Sequence, residues 1–359
     1  MAKITIKVGS NLLVQQDGQL DKRYIVELCR EIGNLMSEGH QVVLVSSGAR
    51  AAGYGYLNKS NAQEADLYMK QALCAVGQVQ LMKLYESAMS FYGIKVAQIL
   101  LTREDFSHRK RFLNLRNTLI GLTEMGILPI VNENDSVATE EIMFGDNDVL
   151  ASMFAIGWNA DYLLLMTSVD GVIDQNGKVI PFYREDTTNM AIAKNASSRW
   201  GSGGITSKIR AARAAAAAGI QTSICNGKKL ENIAQFVLTG QTGTVFERVG
   251  PIKAKKAWIG FLSKPKGSIF INEGAKIAIE NNRSLLPVGV VHIEGDFQAG
   301  DVVEIRLDDG TFLGKGIINF SSAEAKKIVG LKSDQLEDVL GYSCSKVLIH
   351  IDNLWKRDN

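Results

Sequence analysis

Apolar, β-branched runs alternate with helical stretches through the first 250 residues of this 359-residue chain, and that alternation restricts the fold more than any single motif does. Lys3–Val8 reads as a short strand. From Asp21 onward Ile25, Leu28, Cys29, Ile32, Leu35 and Met36 recur at helical spacing until Gly39. Val42–Val45 is a wholly apolar run of buried-strand type. A helical region from Asp66 to Phe91 precedes a strand at Lys95–Leu101, and a helix near Arg111–Met125 precedes Ile127–Val131. Leu163–Met166, a helix over Ser207–Ala218 and a strand over Gln221–Cys225 continue the order. Strands joined through helices pair in parallel, because the crossover brings the chain back to the same end of the sheet before each new strand starts. The expected class is α/β, an open and mainly parallel sheet with helices on both faces.

The rhythm breaks near residue 250. Pro251, Pro265 and five lysines (Lys253, Lys255, Lys256, Lys264 and Lys266) suit a solvated connector. Short runs separated by glycine turns follow at Ser268–Ile271, Gly289–Glu294, Val302–Arg306, Gly314–Asn319 and Lys346–His350, and Asp308-Asp309-Gly310 reads as a hairpin turn. The division is therefore a first domain over residues 1–250, a linker over 251–266 and a small, mainly β domain over 267–359.

Charge excludes some functions. Lys plus Arg number 40 against 38 Asp plus Glu, so no global field draws the chain to nucleic acid or a membrane. Cys29, Cys74, Cys225 and Cys344 form no C-x-x-C pair or Cys/His cluster, which disfavours a zinc site or disulfide framework and fits a reducing compartment. No run approaches the ~20 apolar residues of a membrane span, and Ile4–Val8 follows the N-terminus without a signal peptide's apolar core. The expectation is a cytoplasmic enzyme.

In an open parallel sheet, ligands gather beyond the carboxyl ends of the strands. Lys7 ends the first strand and Gly9-Ser10-Asn11 follows. Ser46-Ser47-Gly48 opens the stretch after the second. Asn132-Glu133-Asn134-Asp135-Ser136 follows Ile127–Val131, and Thr167-Ser168 follows Leu163–Met166. Phe144-Gly145-Asp146-Asn147-Asp148 starts a further helix, and Gly201–Lys208, reading GSGGITSK, leads into another. Ser207, not glycine, precedes Lys208, so this is no Walker A loop. Its bare N–H groups at a helix start nevertheless suit an anionic phosphate.

Each piece also has a plain structural reading. Gly9 and Gly48 serve as turn glycines, Asn132–Asp135 as an Asx-rich cap, Asn147-Asp148 as a helix start, and Lys208 as a solvated first-turn lysine. Lys7 resists such a reading, because a lysine inside an apolar strand needs an anionic partner. Two lysines and glycine-rich N–H groups together can hold a triphosphate and neutralise a moving phosphoryl group. Asp148 can either hold the lysines or share a Mg²⁺ bridged to the phosphates. Ser47, Asn134, Asp135 and Asn147 suit an acceptor bearing an ammonium and carboxylates, and an ionised carboxylate needs no general base.

IKVGSNLL at Ile6–Leu13, VSSGARAAG at Val45–Gly53, LLTREDF at Leu100–Phe106, VNENDSVA at Val131–Ala138, FGDNDVLA at Phe144–Ala151 and GSGGITSK at Gly201–Lys208 stand in the order found in the amino acid kinase family. The chain resembles that family, and within it the branch acting on glutamate in proline biosynthesis. GSIFINEGAKIAI and SLLPVGV in the last domain resemble a PUA domain. The resemblance implies a three-layer αβα sandwich around the sheet and ATP-dependent phosphorylation of the γ-carboxylate of L-glutamate, with Mg²⁺. It assigns Lys7 and Lys208 to the phosphates, Asp148 to their orientation, and Ser47, Gly48, Asn134, Asp135 and Asn147 to glutamate. Gly9, Ser10, Thr167, Ser168, Ser202, Gly203, Gly204, Ile205, Thr206, Ser207 and Lys208 fall to ATP. No metal ligand is assigned to the protein itself. Inhibition by proline at or beside the glutamate site and a homodimer or tetramer are implied as well. Ser168, Ile173 and Met143 depart from the family's pattern, and Ser202 and Ser207 replace threonines while keeping the hydroxyl. A PUA domain raises RNA as a partner, but residues 266–359 carry 11 Lys plus Arg against 14 Asp plus Glu, which favours a structural or regulatory appendage.

Overall fold

The computed structural model describes residues 1–15, 18–57, 67–137, 147–184, 204–248, 250 and 252–357. They form two compact units, Met1–Pro251 and Ile252–Asn359.

The first unit is built on eight strands: β1 (Lys3–Val8), β2 (Gln41–Ser46), β3 (Val96–Leu101), β4 (Leu128–Glu133), β5 (Tyr162–Thr167), β6 (Phe182–Tyr183), β7 (Gln221–Asn226) and β8 (Thr244–Phe246). Their order is β3-β4-β2-β1-β5-β7-β8-β6. Pairings from β3 to β7 are parallel; β8 runs antiparallel to β7, and β6 runs parallel to β8. The central strands are apolar on both faces, so each must be covered twice. The helices doing so are α1 (Ser10–Leu13), α2 (Lys22–Ser37), α3 (Ala49–Tyr56), α4 (Leu67–Ser90), α5 (Arg103–Ser107), α6 (Arg109–Glu124), α7 (Asn147–Trp158), α8 (Ile205–Ala217) and α9 (Glu231–Thr239).

Local chemistry sets their limits. Asp21 caps α2 by accepting from Tyr24 N–H at 3.0 Å, and Ile25, Leu28, Cys29, Ile32 and Leu35 bury one face of it. Gly39, at φ +87°, lets the chain leave. The hydrophobic α7 is buried along almost its whole length, and Ser152 ties it to α8 by donating to Ala211 O at 2.8 Å. Helices α3 and α4 meet through glycine: a Cβ on Gly77 would lie 1.8 Å from Ala49 O, and one on Gly53 would lie 2.1 Å from Leu73 O. Both obstacles are backbone, so no rotamer relieves them. Gly77→Ala is expected to destabilise by about 1–3 kcal/mol or more. Calorimetry should then record a midpoint lower by several degrees; an unchanged midpoint would mean that α3 and α4 separate freely.

The second unit holds α10 (Ala254–Ala257), β9 (Gly267–Ile271), α11 (Glu273–Glu280), β10 (Val290–Gly295), β11 (Val302–Leu307), β12 (Phe312–Ile317), α12 (Ser322–Ile328), α13 (Leu336–Leu340) and β13 (Leu354–Lys356). The sheet order is β10-β9-β11-β12-β13. The β11–β12 hairpin turns at Asp308–Gly310, where Gly310 has φ +88°.

Two expectations need correction here. Lys346–His350 is no strand: Leu348 and Ile349 are fully buried, and the backbone contributes one bridge, Leu285 to Ile349. The apolar run serves core packing, while the strand beside β12 is the three-residue β13. The basic stretch after residue 250 is more than a solvated connector. Helix α10 continues as a π-turn over Trp258–Leu262, burying Trp258, Ile259 and Leu262, while Lys253, Lys255, Lys264 and Lys266 stay exposed. A Cβ on Gly260 would lie 2.4 Å from the Trp355 ring, so glycine admits that ring against the turn. Among the described residues no helix is long and apolar enough to cross a membrane.

Candidate active site

Strand β1 lies between β2 and β5, with Lys7 beside Val45 and Leu165 in register. Its side chain is only 4% exposed. The anionic partner that this burial demands is Asp148, in the first turn of α7, whose Oδ1 lies 2.6 Å from Lys7 Nζ. Lys208 reaches the same carboxylate from the first turns of α8, with Nζ 2.6 Å from Oδ2. One wholly buried carboxylate therefore holds two ammonium groups. Burial alone would raise the Asp148 pKa, but Lys7 and then Lys208 overcome that and hold it at about 2. The cluster carries a net +1, and Lys208, the more exposed of its two lysines, is 12% exposed. A solvated first-turn lysine is thus not what Lys208 is. With each Asp148 oxygen engaged by an ammonium, this carboxylate holds the two lysines together.

Beside the cluster lies a network of amides. Asn147 Nδ2 donates to Ser47 Oγ and to Asn132 Oδ1, both at 2.9 Å. Asn132 is 3% exposed; its Oδ1 also accepts from Glu133 N–H, and its Nδ2 donates to Gln78 Oε1 at 2.9 Å. Helix α7 thus brings Asn147 to the ends of β2 and β4 and its neighbour Asp148 to the lysines. Asn134 is anchored by its N–H to Leu101 O at 2.8 Å. Burial raises the Asp135 pKa, against a hydrogen bond from the Cys74 thiol and the charge of Arg50.

The glycines fall at helix starts. Gly9 precedes α1, where Ser10 is the first residue, and Gly204 precedes α8. Gly48 starts α3 at φ +99°, a conformation that L side chains rarely adopt. In the first turn of α8, Ile205 is buried, Thr206 is exposed, and Ser207 Oγ is buried without a partner among the described residues. Ser202 and Gly203 lie outside the described residues. Thr167 ends β5, where its carbonyl accepts from Gly227 N–H at 2.7 Å, and Ser168 is exposed just beyond. Lys7, Lys208 and Asp148 form one cluster and Ser47, Asn132 and Asn147 another, joined through the adjacent residues Asn147 and Asp148.

Sequence reasoning gave no substrate-side role to Gln78 or Asn132. The second stood in view within the polar group Asn132–Ser136, which begins at the end of β4. The first had only a faint signal, an amide on the mainly apolar buried face of α4. The loop after β7 was also missed: Asn226 and Lys229 both bind Asp170 Oδ1, at 3.0 and 2.9 Å, near the end of β5.

A parallel sheet whose strand ends present two lysines, one shared carboxylate and glycine-led helix starts is a phosphoryl-transfer scaffold. The model of the amino acid kinase family matches residues 2–226 and that of the PUA domain residues 267–340, and the chain belongs to the amino acid kinase family. Its curated relatives include the glutamate 5-kinase of Thermotoga maritima, 56% identical over 353 residues, covering 98% of this chain and 99% of that one. The glutamate 5-kinase of Caldanaerobacter subterraneus subsp. tengcongensis is 41% identical over 362 residues, covering 98% and 97%. Within the family the chain therefore stands with the glutamate 5-kinases. Among solved structures, the carbamate kinase of Giardia shares the fold at a TM-score of 0.50 and 18% identity, covering 69% of this chain and 99% of that one.

Proposed function

We propose that this enzyme transfers the γ-phosphoryl group of ATP to the γ-carboxylate of L-glutamate, giving γ-glutamyl 5-phosphate and ADP, the first step of proline biosynthesis in the cytoplasm. The observation that carries the reading is the Lys7–Asp148–Lys208 cluster, at 2.6 Å on both sides, set beside the Asn147–Ser47 pair. A γ-carboxylate oxygen attacks the γ-phosphorus, the bond to the β–γ bridging oxygen breaks, and its electron pair leaves with ADP. The carboxylate is already ionised at neutral pH, so no base need take a proton.

Lys7 and Lys208 stabilise the charge on the transferring group, and Asp148 fixes where their ammonium groups stand. Gly9, Ser10, Thr167, Ser168 and residues 202–208 receive ATP. Ser47, Gly48, Asn134, Asp135 and Asn147 receive glutamate, with Asp135 facing its ammonium. Magnesium would enter with the nucleotide as part of the Mg-ATP substrate and would help neutralise the phosphate charge beside Lys7 and Lys208. Proline acts as an end-product inhibitor at or beside the glutamate site, and the chain assembles as a homodimer or tetramer.

Purified protein with glutamate, Mg-ATP and hydroxylamine is expected to yield γ-glutamyl hydroxamate in step with ADP, and added proline to suppress it. No hydroxamate above that of a Lys208→Ala control would sink the reading.

A further inference from the structure

Helix α4 contributes to the acceptor side in a way that the motifs do not announce. Cys74 and Gln78 lie one turn apart on its buried face, next to Gly77, where α4 meets α3. Gln78 reaches the end of β4, where its Oε1 accepts from Asn132 Nδ2 at 2.9 Å.

The network fixes which way the Gln78 amide faces. Glu133 N–H needs an acceptor and finds Asn132 Oδ1, so Asn132 Nδ2 must point to Gln78 and meet its oxygen. Gln78 Nε2 then carries two N–H donors. It is buried, in a residue 8% exposed, and has no partner among the described residues. The oxygen side of the amide is satisfied while the nitrogen side is not. A buried donor without an acceptor costs stability in the unliganded protein, and a ligand that supplies the acceptor recovers it.

We propose that Gln78 is a specificity residue whose Nε2 donates a hydrogen bond to a carboxylate oxygen of the bound acceptor. The inference rests on the amino-acid acceptor proposed above. Of that molecule's polar groups, the ammonium has no lone pair to offer, whereas each carboxylate oxygen accepts. Bonds to an ionised acceptor are also the stronger kind. ATP is a poor source for this contact, because its phosphates belong at Lys7 and Lys208, whereas Gln78 is tied to the Asn132–Asn147–Ser47 side. In this role Gln78 also keeps Asn132 Oδ1 turned towards Asn147, so one side chain orients the amide network and reads the acceptor.

Two substitutions separate these duties. Gln78→Glu keeps an oxygen for Asn132 Nδ2 and removes the donors. Gln78→Met has a similar volume, removes both functions and suits a buried position. Both variants are expected to raise KM for glutamate by about ten- to a hundredfold, the loss typical of a hydrogen bond to a charged group, while KM for ATP stays within twofold. Gln78→Glu should recover towards wild type as pH falls, because the protonated carboxyl regains an O–H donor. Gln78→Glu within threefold of wild type in KM for glutamate, with only Gln78→Met impaired, would overturn the contact and leave a positioning role alone. Equal increases in both KM values would overturn it too. If Gln78→Glu does not fold, a Gln78→Met variant whose KM for glutamate stays within threefold of wild type overturns the contact. A wild-type protein that makes no glutamyl hydroxamate would bring down the acceptor reading and this inference with it; an active wild type with unaffected variants would remove the inference alone.

Discussion

Lys208→Ala is expected to lower kcat by about a hundred- to a thousandfold, the usual loss when a preorganised charge donor leaves a reacting centre. The lysine sits four residues after the Gly204 helix start, and its amine points into the strand ends rather than into solvent. At an effective dielectric near 20, a unit charge ~4 Å from an anionic oxygen is worth about 4 kcal/mol. Negative charge migrates on the phosphoryl oxygens between the ground and transition states, so much of that interaction appears in kcat. The protein should still fold, because Asp148 keeps Lys7 as its partner at 2.6 Å. Single-turnover measurement with saturating ATP isolates the chemical step. A loss below fivefold would remove Lys208 from the reaction and leave it a structural ion pair. Lys208→Arg should recover only part of the rate, since a planar guanidinium cannot place a compact charge at the same point.

What could be read in advance follows a physical divide. Lys7 was legible because an ammonium in the middle of ITIKV has no partner within its own strand. Burial therefore required a distant anion, and Asp148 supplies it. The parallel sheet was legible from β-branched runs separated by helix-length segments, and the six parallel strands from β3 to β7 lie within two residues of the expected bounds at each end, β1 matching at both. Gln78 was not legible as a site residue. One amide in a 24-residue helix gains meaning only where Gly77 packs on Ala49 and turns that face towards Asn132. The same holds for β13, whose three residues have no period of their own and become a strand by pairing with β12. Around Trp258 the lysines dominated the sequence reading, although apolar residues between them provide the buried face. Periodicity thus reports elements that bury a continuous face. Contacts made by one side chain across two elements lie beyond it.

Asp148→Asn should produce the largest change in stability. The carboxylate is wholly buried and each oxygen meets an ammonium, so the isosteric amide leaves two cations facing a neutral group. Breaking a buried pair by removing one partner typically costs about 3–5 kcal/mol, and two like charges a few ångströms apart repel by several kcal/mol at an effective dielectric near 20. A fall in thermal midpoint on the order of 10 °C follows for a domain of this size. The pH dependence supplies a check with a definite sign. The pKa of Asp148 is depressed from an ordinary 3.8 to about 2, so its stabilising contribution is fully present above about pH 4–5 and is lost as pH falls through about 2. The difference corresponds to about 2 kcal/mol, which the wild type should lose on acidification and Asp148→Asn should not. ATP provides the second check. Its phosphates can take the place of the missing carboxylate between Lys7 and Lys208, so saturating Mg-ATP should raise the midpoint of the variant by more than that of the wild type. An equal rise in both proteins would mean that the nucleotide phosphates do not meet this pair of lysines. Activity should still be lost, because Asp148 holds the ammonium groups in place before the nucleotide arrives, whereas in the variant the nucleotide must spend binding free energy on gathering them.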